Sequence, residues 1–215
     1  MDSPTGAISR DDLLKNLADH GIAGTEDFGR FVNNVAYFRP SSFDERAAMP
    51  LLIDALPRVQ DLNLAGTIAS HLRRAWARPA AYQALLDAFE RFGVGSSNSG
   101  WAIADSLASA ATTKDAPELL RIVMDERYGT NRQMIVLGLY RFKSVTEVAT
   151  ALKALTEDTD VSLHAISAYR RTVGDDLARA HFERLEGKVP GSRVARNASA
   201  AIKKIDKKRA AAAHR

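Results

Sequence analysis

The stretch from Tyr128 to Val173, YGTNRQMIVLGLYRFKSVTEVATALKALTEDTDVSLHAISAYRRTV, limits the possible folds of this chain more than any other. Read with a helical period, it contains three apolar-faced segments separated by short turns. Ile135, Gly138 and Leu139 in the first segment recur as Ala165, Ala168 and Tyr169 in the third, 30 residues on. The same form, an apolar residue, a small one three on and then another apolar one, occurs upstream as Ile103–Ser106–Leu107 and downstream as Ala198–Ala201–Ile202. The successive offsets are 32, 30 and 33 residues. Ile68–His71–Leu72 is an earlier member in which histidine breaks the small-residue rule. A period of this length marks a helix-pair repeat, in which each pair buries its apolar face only by stacking on its neighbours. The small residue stands where adjacent helices must approach closely.

The punctuation agrees. Ser9 with Asp11 and Asp12 opens a helix that stops at Gly21. A second helix is expected from Thr25, carrying Phe28, Phe31, Val32, Val35 and Phe38 and ending before Pro40. Ser42 and Glu45 form a capping box in the sequence, and the following segment ends at Pro57. Further helices are expected at about 62–75, 79–92, 100–111, 116–126, 131–142, 145–156, 161–173, 176–186 and 193–208. Pro79 and Pro117 fall in first turns, where a missing amide hydrogen costs nothing. Gly93, Gly129, Gly174 and Gly187 fall at helix ends, and Thr130–Gln133 and Ser144–Glu147 are further capping boxes. No segment alternates with period two, so no sheet is expected.

Residues 61–206 resemble tandem HEAT-like repeats of the short bacterial kind that also occur in phycocyanobilin lyases. DAPELLRIVMDERYGTNRQMIVLGLYRF and DTDVSLHAISAYRRT carry most of the likeness. The resemblance implies a fold: an all-α, right-handed α-solenoid of about six antiparallel helix pairs. Residues 1–60 would be divergent capping helices, 61–206 the regular repeats and 207–215 a basic tail, within a single domain 1–215. It does not imply lyase chemistry, because no residue pattern here marks a bilin site.

Composition narrows the function. The chain has 215 residues and no cysteine, which rules out disulfides and thiolate chemistry and fits a reducing compartment. The opening MDSPTGAISRDD has no cationic and apolar leader pattern, and no apolar run approaches the roughly 20 residues that span a bilayer. A soluble cytoplasmic protein is expected. The net charge of +4 is unevenly placed: residues 193–215 hold eight Lys/Arg against Asp206, and the remainder holds 22 basic and 25 acidic groups. The positive excess therefore belongs to the last segment, which argues against a duplex-binding body.

No catalytic constellation stands out. The histidines His20, His71, His164, His181 and His214 form no H-x-x-x-H pair, so neither a metal nor a cofactor is expected. Asp11–Asp12 and Asp175–Asp176 sit at helix starts, where capping accounts for them. The glycine-rich Gly93–Gly100 stretch lacks the preceding strand and the Gly-Lys-Ser/Thr ending of a phosphate loop. The candidate binding residues are two groups. Trp101 and Asp105 lie one turn apart on one helix, with Arg74 and Trp76 upstream; some HEAT-like DNA glycosylases handle a damaged base with Trp and Asp on a concave face. Arg127, Tyr128, Arg132 and Gln133 cluster about one turn beside Asp125, and Arg170–Arg171 and Arg73–Arg74 occupy related turns. An Asp125–Arg132 pair would make that turn structural; otherwise it is a recognition patch. The expectation is a non-enzymatic scaffold that engages a protein partner, as an adaptor or a toxin-neutralising immunity protein does. Nucleic-acid binding, with glycosylase-like repair, is the alternative.

Overall fold

In the computed structural model the described residues are 6–28 and 42–213. Among them the chain is helical throughout: eleven α-helices, no strand, and an isolated bridge between Ile8 and Val59. Its contacts divide into two compact units, Met1–Thr112 and Thr113–Arg215.

The first unit contains α1 (Arg10–Asp19), α2 (Glu45–Ala55), α3 (Leu62–Leu72), α4 (Tyr82–Phe92) and α5 (Asn98–Ala110). Ser9 caps α1 through a reciprocal bond with Asp12, and Asp61 and Ser97 cap α3 and α5 by accepting from Leu64 and Gly100. Each cap satisfies an amide the first turn leaves free. The centre of the unit is α3, buried on nearly every side from Leu64 to Leu72. It lies against α5, whose Ile103, Ser106 and Leu107 are all fully buried. The closest approach is at Gly66: a Cβ there would stand 2.8 Å from Ser99 Cβ. The small-residue requirement is thus met at Gly66 and Ser99, a pair outside the repeat's three-residue form. Ser99 Oγ also donates to Asn63 Oδ1 at 3.0 Å, joining the first turns of α3 and α5.

The second unit contains α6 (Ala116–Met124), α7 (Gln133–Gly138), α8 (Thr146–Leu155), α9 (Ser162–Val173), α10 (Asp175–Lys188) and α11 (Arg193–Ala213). The alternate helices α7, α9 and α11 pack successively side by side, and α8 and α10 pack on α9. Ile135, Leu139, Ala165, Ala168 and Ala198 are fully buried, whereas Gly138 and Ile202 are only half-buried. Asn197 Nδ2, in the second turn of α11, donates to Ser162 Oγ at the start of α9 at 3.0 Å, another Ser–Asn link between alternate helices.

Several local expectations differ. Thr25–Asp27 is a single 3-10 turn, not the start of an α-helix; the rest of the helix expected there lies outside the described residues. Ser42 does not cap α2: Asp44 does, while Ser42 bonds to Asp27 and Glu45 turns to other partners. The helix expected at 131–142 is α-helical only over Gln133–Gly138, with 3-10 turns on both sides. Neither Thr130 nor Ser144 caps a helix, because α7 and α8 begin at Gln133 and Thr146 without side-chain caps. Gly93 keeps a right-handed φ of −78°, and Gly187 lies inside α10. Pro79 precedes α4 instead of opening it. The helix expected at 193–208 extends to Ala213.

Candidate functional site

Two consecutive arginines follow α3 and point to different helices. Arg74 grips Glu45 at the start of α2 through two bonds, Nε to Oε2 at 2.5 Å and Nη2 to Oε1 at 2.7 Å. His71 Nδ1 stands 3.1 Å from Glu45 Oε1, and its ring is stacked on Phe28 and edge-on to Phe43. Burial pushes the Glu45 carboxyl up, but the bonds from His71 and Arg74 outweigh it and hold the group below its usual range. Arg73 turns the other way, to Asp105 on α5, with Nε 2.6 Å from Oδ2. Asp105 is nearly buried, and burial raises its pKa against the pull of Arg73. The turn after α3 is therefore clamped to α2 and α5 together.

Of the expected residues in this unit, Arg74 and Asp105 are engaged in these clamps. Trp101 is half-buried one turn before Asp105 on α5. Trp76 is 38% exposed in the 3-10 turn Ala75–Ala77, which packs against α5.

In the second unit Arg132 is the pivotal side chain and is only 1% exposed. Its Nη1 donates to the Val123 carbonyl at 2.8 Å, its Nε to the Gly129 carbonyl at 3.0 Å, and its Nη2 to Asp158 Oδ2 at 2.7 Å. Val123 lies in the last turn of α6, Gly129 bends the next turn at a φ of +46°, and Asp158 lies in the turn between α8 and α9. One guanidinium thus ties the end of α6, the Gly129 turn and the α8–α9 turn together. The anticipated Asp125–Arg132 pair does not form. Asp125 instead caps its own turn and pairs with Arg127 at 2.6 Å, which brings its pKa down to about 2. Gln133 Nε2 donates to the Asp160 carbonyl at 2.8 Å, a second tie between the same turns, and Tyr128 is buried. The Arg132–Gln133 pair is internal, so the patch imagined around it divides: Arg127 remains exposed and the others face inward.

Arg170 pairs with Asp175 at 3.3 Å. Arg171 is exposed, and its guanidinium carbon lies over the Tyr140 ring, 3.2 Å from the ring centre. A further internal tie joins Thr156 and His181. The Thr156 hydroxyl donates to the Lys153 carbonyl at 2.6 Å, so it accepts from His181 Nε2 at 2.9 Å, which fixes the imidazole tautomer. Burial, then the charges of Lys153 and Arg184, lowers the His181 pKa against Glu157, and His164 is lowered by burial and Arg193.

The sequence reading missed Glu45, Asp158, His181 and Tyr140. A signal existed for the ties: Glu45–Arg74, Arg132–Asp158 and Glu157–Lys188 are separated by 29, 26 and 31 residues, about one repeat. Opposite charges at the repeat spacing are candidates for links between turns. Among the described residues no group of three or more His, Cys, Asp or Glu is placed to hold a metal ion, and no helix is long and apolar enough to cross a membrane. Compared with protein-family models, curated proteins and solved structures, the chain shows no significant match.

Proposed function

We propose that this protein is a non-enzymatic scaffold built of HEAT-like repeats in a solenoid, and that it holds a protein partner on the surface of its second unit. The observation that carries the reading is the use of Arg132: all three of its nitrogens bond groups in successive turns, and at 1% exposure it is out of a substrate's reach. Glu45, Asp105 and His181 are likewise committed to neighbouring helices. Buried polar groups that join repeat to repeat make a rigid frame, and rigidity lowers the entropy lost on binding. The contact residues on that frame are Arg171 with Tyr140, and Arg127. Arginine and tyrosine are the side chains that most often dominate protein interfaces, and stacking on Tyr140 holds the Arg171 guanidinium in a set plane.

The test is retention of a polypeptide of fixed stoichiometry, measured by native mass spectrometry on protein purified at low salt. Arg171→Glu combined with Arg127→Glu is expected to abolish retention while the helical circular dichroism stays unchanged. Retention unaffected by the double substitution, or a purified protein carrying no polypeptide, contradicts the proposal.

A further inference from the structure

We infer that the outward face of α11 is a docking surface for the phosphate backbone of duplex DNA. At 3.6 residues per turn, Arg193, Arg196, Lys203, Lys204 and Lys207 fall within an arc of about 100° and extend along about 21 Å of helix. All five are exposed. The helix buries the opposite side, through Ala195, Ala198, Ala201 and Ile205.

The stripe is uncompensated, unlike its flank. On the flank Asp206 pairs with Arg179 at 2.9 Å, Lys208 with Asp175 at 2.7 Å and Arg209 with Asp176. Among the described residues none of the five stripe cations pairs with a carboxylate; Arg196 donates only to the Gly191 carbonyl, which leaves its charge unbalanced. Arg193–Arg196 and Lys204–Lys207 stand three apart and Lys203–Lys207 four apart, spacings at which like charges destabilise a helix. A polyanion along this face converts that repulsion into attraction.

The composition of the face selects among polyanions. It carries no large apolar side chain to enter a bilayer, so it lacks the second half of a membrane-surface helix. It has no aromatic residue on which single-stranded bases would stack, and none to pack beside its arginines as Tyr140 packs beside Arg171. A straight row of cations suits the regular charge of a duplex, about one per 1.7 Å of axis, read without regard to sequence. The inference is independent of the protein-binding surface proposed above.

The test is binding of the full chain to a fluorescent 20-base-pair DNA duplex, followed by anisotropy between 50 and 200 mM salt. Five phosphate contacts predict a slope of log affinity on log salt of about −4.5. The triple variant Lys203→Gln, Lys204→Gln, Lys207→Gln is expected to make the slope shallower by about 2.7. Arg193→Gln with Arg196→Gln, at the other end of the helix, is expected to make it shallower by about 1.8, and provides the reading if the triple variant does not fold. No salt-dependent binding by the wild type, or slopes unchanged in folded variants, overturns the inference. Preference for phosphatidylserine vesicles or for polyglutamate over the duplex also overturns it.

Discussion

At the scale of single residues, this protein uses its polar chemistry to hold turns in register. The imidazole of His181 shows how such a link depends on pH. It donates from Nε2 to Thr156 as a neutral ring, and burial beside Lys153 and Arg184 depresses its pKa. A depressed folded-state pKa means the unfolded chain binds the proton more readily. The stabilisation is therefore complete above the unfolded value of about 6.5 and is lost as pH falls through the folded one. His164 acts in the same direction, whereas the lowered carboxylates Glu45, Asp175 and Asp206 lose their contribution only below about pH 4. Melting at pH 7.5 and pH 5.5 is expected to show a larger fall for the wild type than for His181→Gln. Equal falls would remove His181 as a source of pH sensitivity.

At the scale of elements, the boundaries of α3 to α6 and α8 to α10 were legible within a few residues, because apolar periodicity and prolines act locally. What was not legible depended on contacts made across the chain. Glu45 reads as the partner of a Ser42 cap, but His71 and Arg74 bring three donors to it and Asp44 caps the helix instead. Asp125 reads as the partner of Arg132, yet the buried guanidinium reaches Asp158, 26 residues on. The helix expected to end near 208 runs on to Ala213, and its Lys208 and Arg209 pair with Asp175 and Asp176, contacts that only packing reveals. Helix contact also makes a prediction at Gly66, where α3 and α5 leave no room for a Cβ beside Ser99. Gly66→Leu is expected to destabilise by about 1–3 kcal/mol or more through overpacking, in spite of leucine's better helix propensity. A melting temperature equal to or above the wild type's would show that the α3–α5 spacing can relax.

At the scale of the whole molecule, charge is distributed by task. Residues 1–112 carry 10 basic and 13 acidic groups, and 113–215 carry 20 and 13, so the excess positive charge lies in the second unit. There, the buried Arg132 bonds inward, Arg171 is held at the surface over Tyr140, and the five stripe cations of α11 stand unpaired. The sequence revealed which residues were arginines with repeat spacing, but only packing separates a link from a contact. The rigid frame proposed for the second unit requires Arg132 to be a link. Its most direct test is the thermal melting of Arg132→Gln, which leaves Asp158 and two carbonyls without their donor. Removing one member of a buried ion pair costs about 3–5 kcal/mol, so for a unit of this size the melting temperature is predicted to fall by more than about 10 °C. A melting curve within about 2 °C of the wild type's, on the same scale of about 4–8 °C per kcal/mol, would contradict the account, because the guanidinium would then not be holding the turns together.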